Sequence, residues 1–167
     1  TTSNCKVKFQ GEVLPKTSFE AYAKMHEGVT NVCSVTTDRW SACIGPSENG
    51  LEQVSFVNGI STTKGGTHVD HVASYIASGI IDEMAKKIKL KPQQVKNTFN
   101  IFVRATLENP TFSSQVKSEC TSKVQDFGSK FEPPKNFVKN ALKTGIQDEL
   151  TALSKFKEMR ELKKTDG

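Results

Sequence analysis

The sequence predicts an α/β fold: a mixed β-sheet backed by helices, built on a βαβ crossover and followed by C-terminal helices. Two patterns carry this expectation. Val69, Val72, Ala73, Ile76, Ala77, Ile80, Ile81, Met84, Ala85 and Ile88 fall at alternating steps of three and one, a continuous apolar stripe on an α-helix. Phe99, Ile101, Val103, Ala105 and Leu107 alternate with Thr98, Asn100, Phe102, Arg104 and Thr106, which predicts a strand buried on one face. A strand expected over residues 52–60 precedes the helix, so strand, helix and strand follow in order.

Each element has its own signal. To about Asp38 the chain is poorly patterned, although Phe19, Tyr22, Ala23 and Met25 fit one face of a short helix capped by Thr17 or Ser18. Arg39 to Ile44 reads as a strand with Trp40 in the core. A turn at Pro46, Asn49 and Gly50 then returns the chain as the strand Glu52 to Ile60, which predicts a hairpin. Thr67 and Asp70 begin a capping box, Gly65-Gly66 allows a sharp turn into the helix, and Pro92 places its end near Ile88. Gln93 to Lys96 reads as a short helix. Pro133-Pro134 opens a helix with inner residues Phe137, Val138, Ala141 and Leu142. Gly145 breaks it, and a second helix carries Leu150, Leu153, Phe156 and Met159 among mostly charged positions, as a projecting helix would.

Size and composition bound the function. A chain of 167 residues with 35% hydrophobic content supports one core rather than two. The formal charge of +5, from 23 Lys and Arg against 18 Asp and Glu, permits a polyanionic partner without requiring one. Cys5, Cys33, Cys43 and Cys120 form no CxxC pair, which argues against zinc and for a reducing intracellular compartment. No apolar run approaches the roughly 18 residues of a membrane span. Thr1-Thr2-Ser3-Asn4 has no signal-peptide pattern and no methionine, compatible with a fragment or a processed end.

The chemistry concentrates in one turn. A strand-like run ends at Asn109-Pro110, and an exposed turn then carries Gln115 and Lys117, an amide and an ammonium two residues apart that suit a phosphate. The chain has no phosphate cradle of its own. Thr62 to His68 is glycine-rich and opens a helix, but it is not the Walker pattern, and a tight strand-to-helix turn is the better account. His68 and His71 are three apart with no cysteine nearby, so helix capping is favoured over metal ligation. Lys86, Lys87, Lys89 and Lys91 suit either the negative end of a helix dipole or a phosphate-contacting patch, and both readings stand. Ser/His/Asp triads, paired catalytic carboxylates and CxxC redox pairs have no candidates. A lysine aimed at a nucleotide that the chain cannot hold points to one part of a larger machine.

Taken together, these stretches resemble eukaryotic-type DNA topoisomerase II, a type IIA topoisomerase. Ser55 to Asp70, with Thr62-Thr63-Lys64-Gly65-Gly66-Thr67-His68 at its centre, resembles the family's strand–turn–helix signature. Phe102 to Lys117 resembles the loop that carries the family's Gln-Thr-Lys triplet. Lys123 to Ser129 and Leu162 to Gly167 continue the match in order. It runs from about Arg39 to the C-terminus and is weaker over residues 1–38.

The resemblance implies a transducer domain over residues 1–145 and a C-terminal helical extension, 146–167, toward the DNA-gate core. It implies a left-handed βαβ crossover, against the usual right-handed rule. By the same resemblance, Lys117 is the catalytic contact to the γ-phosphate of ATP and Gln115 assists it. ATP is then bound mainly by a separate ATPase domain, with Mg2+ in the full-length enzyme and no metal in this chain. Val116 stands where the family has threonine and lacks its hydroxyl. Lys86, Lys87, Lys89 and Lys91 resemble a DNA-contacting loop, shorter here. The implied partners are double-stranded DNA, the ATPase and DNA-cleavage domains of the same protein, and a second copy in a homodimer, with no membrane and a nuclear location. Bergerat-type ATPase motifs, an acidic Toprim site and a winged-helix tyrosine are absent from this stretch, whose only tyrosines are Tyr22 and Tyr75. The fragment alone is therefore expected to be inactive. The alternative is a free basic DNA-binding module that acts through the lysine loop.

Overall fold

The computed structural model describes residues 6, 8–13 and 18–167. Cys5 and the capping hydroxyl expected from Thr17 lie outside them. A small hairpin of β1 (Lys8–Phe9) and β2 (Glu12–Val13) comes first, then helix α1 (Phe19–Lys24). Ser18 caps α1 by accepting from Ala21 N at 3.1 Å, whereas Met25 ends the helix and is 77% exposed rather than part of its inner face. The main sheet contains β3 (Cys33–Thr36), β4 (Trp40–Pro46), β5 (Glu52–Val57), β6 (Ile60–Ser61) and β8 (Phe99–Ala105). Between β6 and β8 run β7 (Gly65–Gly66), the long helix α2 (Thr67–Met84) and the short helix α3 (Pro92–Lys96).

The sheet order is β3-β4-β8-β5-β6, with β5 and β8 parallel and the other neighbours antiparallel. The expected α/β class, mixed sheet and strand–helix–strand unit are all present. The expected hairpin between residues 39–44 and 52–60 is not, because β8 lies between β4 and β5. Its burial explains its place. Phe99, Ile101, Val103 and Ala105 join the main core under α2, while Phe102 points to the other face, against Phe19 and Ala23 of α1. A strand apolar on both faces takes the centre of a sheet, where helices cover both sides. The single buried face expected for this strand is corrected accordingly. The strand after the turn is also shorter than expected, since the chain reverses at Asn58-Gly59 and returns as β6.

β8 stops at Ala105, not at Asn109-Pro110. The Asn58 side chain takes over there: its Oδ1 accepts from Leu107 N at 2.8 Å and its Nδ2 donates to Leu107 O at 3.0 Å. The Leu107 backbone is thereby satisfied without a strand partner.

α2 buries Val69, Val72, Ala73, Ile76, Ala77, Ile80 and Met84 against the sheet. It ends at Met84, four residues before the expected Ile88. Lys87 N and Ile88 N both donate to Met84 O at 2.9 Å, closing the last turn, and Ile88 and Leu90 fold back onto the core. The expected capping box is absent: Gly66 is the cap residue, no side chain caps the helix, and Thr67 Oγ1 instead faces Cys120 Sγ at 3.8 Å.

The last third holds β9 (Glu119–Cys120), α4 (Phe137–Ala141) and α5 (Gln147–Thr165). A π-helical turn, Leu142–Ile146, joins α4 to α5. Gly145 kinks the chain there with φ 125, a conformation that side chains with a Cβ rarely adopt. Leu150 is fully buried, but Phe156, Met159 and Leu162 are 59–64% exposed, so α5 leaves the core after its first turn. Among the described residues no helix is long and apolar enough to cross a membrane, and Cys33, Cys43 and Cys120 are free thiols. Burial pushes the Cys43 thiol up to about 12.

Candidate functional site

Residues 111–121 form a pinched loop whose tip carries Gln115 and Lys117. Thr121 N donates to Thr111 O at 2.9 Å, Ser113 N donates to Glu119 O at 3.1 Å, and Phe112 bridges Cys120 across the loop. At the tip, Lys117 N donates to Ser114 O at 3.0 Å. Lys117 itself has φ 58, in the left-handed region, where a non-glycine residue is held at a cost of about 1–3 kcal/mol.

Gln115, Val116 and Lys117 are all exposed, Val116 at 82%. The Lys117 ammonium stands 5.7 Å from the centre of the Phe112 ring, a cation–π contact that leaves its N–H donors available. It has no carboxylate partner among the described residues. The turn thus presents a point cation to solvent on a backbone pinned from beneath.

The pinning comes from the turn into α2. Lys64 N donates to Ser118 O at 2.8 Å, and β7 pairs in parallel with β9, Gly65 opposite Glu119 and Gly66 opposite Cys120. Gly66 makes this approach possible, because a Cβ there would land on the Cys120 carbonyl oxygen. The Thr62–His68 segment is therefore a tight strand-to-helix turn, as its composition suggests, and it also seats the loop of Lys117.

His68 does not cap α2. It is fully buried, with Nε2 3.1 Å from Thr62 Oγ1, and burial lowers its pKa to about 4. His71 packs between Trp40 and Phe127, ring centres 5.7 and 5.8 Å away, and burial lowers its pKa also. Among the described residues no three His, Cys, Asp or Glu side chains converge as a metal site.

Lys86, Lys87, Lys89 and Lys91 are all exposed, but they lie in the connection beyond α2 and at the start of α3 rather than in the last turn of α2, which holds no basic residue. The structure does not bring them to the Lys117 tip as one site; each cluster stands on its own segment.

Sequence reasoning missed the support beneath the tip. Ser55 and Thr62 are buried polar residues, and His68 lies four residues before Val72, on the same stripe as Val72, Ile76 and Ile80. That spacing is the signal that assigns His68 to the interior rather than to a cap.

Solved structures give the class of this arrangement. The fold matches the ATPase region of Saccharomyces cerevisiae topoisomerase II with a TM-score of 0.78 and 31% identity, over 89% of this chain and 40% of that one. It also matches the ATPase and transducer domains of DNA topoisomerase II from Balamuthia mandrillaris, with a TM-score of 0.77 and 31% identity, over 92% of this chain and 40% of that one. The class is thus that of type II topoisomerase ATPase regions.

The DNA gyrase B family model matches residues 16–161, and the chain belongs to that family. The match reaches further toward the N-terminus than the signature stretches do. DNA topoisomerase 2 of Arabidopsis thaliana is 38% identical over 97% of this chain, and DNA topoisomerase 2-alpha of Gallus gallus is 40% identical over 98%. The chain spans only 12% and 11% of the length of these two relatives.

Proposed function

We propose that this chain is the transducer part of an ATP-dependent type IIA topoisomerase, relaying the state of a nucleotide bound next door to the capture and passage of a DNA duplex. In this reading residues 1–145 are the transducer body and residues 146–167 are an extension toward the DNA-cleaving core. The observation that carries it is the Lys117 turn: an exposed ammonium on a left-handed backbone, tied through β9 and β7 to the first turn of α2.

ATP with Mg2+, held mainly by an ATPase domain outside this chain, supplies phosphoryl charge that changes on hydrolysis. Lys117 answers that charge as a compact, rotatable point cation, and Gln115 adds an amide donor beside it. Val116 keeps the shape of the turn and offers no hydroxyl. Once its ammonium has no anion to hold, Lys117 no longer ties the two domains together, and the transducer is free to swing. This is a two-state element biased by one contact.

Partners in this reading are the neighbouring domains of the same protein, double-stranded DNA and a second copy in a homodimer. Free thiols and eukaryotic relatives support an intracellular, nuclear setting.

Replacing Lys117 by Ala in the full-length protein lowers ATP turnover about 10²-fold, the scale of losing one preorganised charge-stabilising donor. Unchanged turnover rejects the reading. The exposed lysines 86, 87, 89 and 91 support a DNA-facing role for the connection after α2. Replacing all four by Ser lowers the log–log salt slope of duplex binding by about 3.6, at about 0.9 per phosphate contact. Steep, tight duplex binding by this chain alone would favour the free DNA-binding module instead.

A further inference from the structure

A chain of buried polar side chains runs from the first turn of α2 into the turn that seats the Lys117 loop. Ser55, Thr62 and His68 are 2%, 0% and 0% exposed. Ser55 Oγ lies 2.6 Å from Thr62 Oγ1 and 2.7 Å from Gln53 Oε1, and Thr62 Oγ1 lies 3.1 Å from His68 Nε2. Gln53 Nε2 donates to Thr63 O at 3.0 Å. Each hydroxyl has one proton to give, so the direction of the chain can be worked out.

His68 Nδ1 is buried without a partner. If it carried the proton, the interior would hold an orphaned N–H donor, the rarer and costlier kind of unsatisfied group. The proton therefore sits on Nε2. His68 Nε2–H donates to Thr62 Oγ1, Thr62 to Ser55 Oγ, and Ser55 to Gln53 Oε1. The Gln53 amide then donates to the Thr63 carbonyl, inside the turn itself. The His68 N–H and both hydroxyls then each have an acceptor, and the buried Nδ1 carries only a lone pair.

Both ends of the chain meet the segment that holds the loop. Thr62 O accepts from Gly65 N at 2.9 Å, Lys64 N inside the same turn donates to Ser118 O at 2.8 Å, and Gly66 pairs with Cys120. Ser118 is the residue after Lys117.

We propose that Ser55, Thr62 and His68 are positioning residues that lock the Thr62–Gly66 turn and through it fix where the Lys117 ammonium stands. This rests on the reading of Lys117 given above. None of the three touches nucleotide; they act only through the backbone of the loop.

The test uses the full-length protein. Thr62→Val keeps the shape but removes the acceptor of His68 Nε2–H and the donor to Ser55 Oγ, which keeps its bond to Gln53 Oε1. Ser55→Ala cuts the chain at its middle with a smaller change, and Thr62→Ser keeps the hydroxyl. Two readouts are taken: hydrogen exchange of the amides of residues 64–66 and 113–121, and the kcat and KM of ATP turnover.

Thr62→Val and Ser55→Ala are expected to speed exchange in those two segments about tenfold while that of α2 residues 72–84 stays unchanged. Both are expected to lower kcat about tenfold with little change in KM, and Thr62→Ser restores both readouts. Unchanged exchange in 113–121 overturns the proposal. So does faster exchange with unchanged kcat in an enzyme that Lys117→Ala disables. A Lys117→Ala enzyme with full turnover sinks the reading of Lys117 instead, and the exchange data still decide whether the three side chains hold the loop.

Discussion

Helices α2 and α5 have nearly the same length, 18 and 19 residues, yet they meet opposite fates. In α2 the apolar steps of three and one keep the stripe on one side, and eight of its residues are buried. In α5 the apolar residues Leu150, Leu153, Phe156, Met159 and Leu162 advance by three each time. At 3.6 residues per turn, each step of three falls about 60° short of a full turn, so these residues wind around the helix. A winding row cannot lie on one flat core. Leu150 is buried and the later members are exposed. Spacing and apolar content act together: α2 is rich in apolar residues on one face, and α5 is rich in charged residues with its few apolar ones wound around it.

The strongest way to break this comparison is inside α2. Ile76→Ala empties a fully buried position and is expected to destabilise the chain by about 2–5 kcal/mol in urea unfolding. A loss below about 1 kcal/mol would mean that α2 is not the wall described here.

Acid sharpens the contrast next, because two histidines sit on α2 and none on α5. His68 has its pKa lowered by burial from 6.5 to about 4 in the folded chain, so between those values the unfolded chain binds the extra proton. Its contribution is therefore complete above pH 6.5 and is lost as pH falls toward 4, by on the order of 3 kcal/mol. His71, also lowered by burial, acts in the same direction. Urea midpoints at pH 7 and pH 4.5 measure the effect, and a His68→Gln chain should show a flatter dependence.

The smallest effect belongs to α5. Phe156 is 64% exposed, with the Arg160 guanidinium 5.9 Å from its ring centre. Phe156→Ala should change the stability of this chain by no more than about 0.5 kcal/mol. A loss as large as that at Ile76 would place α5 back on the core.

Much of the site was legible without coordinates. The glycine pair before α2 and the exposed Gln115–Lys117 turn lie where the sequence put them, whereas Lys86 and Lys87, expected inside the end of the long helix, lie beyond it. The end of α2 was not, because Ile88 continues the periodic pattern while its backbone closes onto Met84. Nor was the role of His68, since a histidine near a helix start reads as a cap until its spacing to Val72 and Ile76 is weighed. Strand order was illegible for a related reason. Residues 40–46 and 52–57 are joined by a short turn, the usual mark of a hairpin, and nothing local says that a strand from residue 99 onward will pass between them.

The sequence alone determined the class of fold, the existence and face of α2, the break at Gly145 and the exposed Gln115–Lys117 turn, because periodicity, glycine placement and local turn chemistry act over a few residues. Only the tertiary structure decided that β8 is central, that β9 docks against Gly66, and that Ser55, Thr62 and His68 meet at the turn that pairs with the Lys117 loop. Those that pair strands join distant residues, such as Trp40 with Ala105 and Gly66 with Cys120. Long-range pairing is set by which faces bury the most apolar surface together, a sum over the whole chain that no single stretch contains.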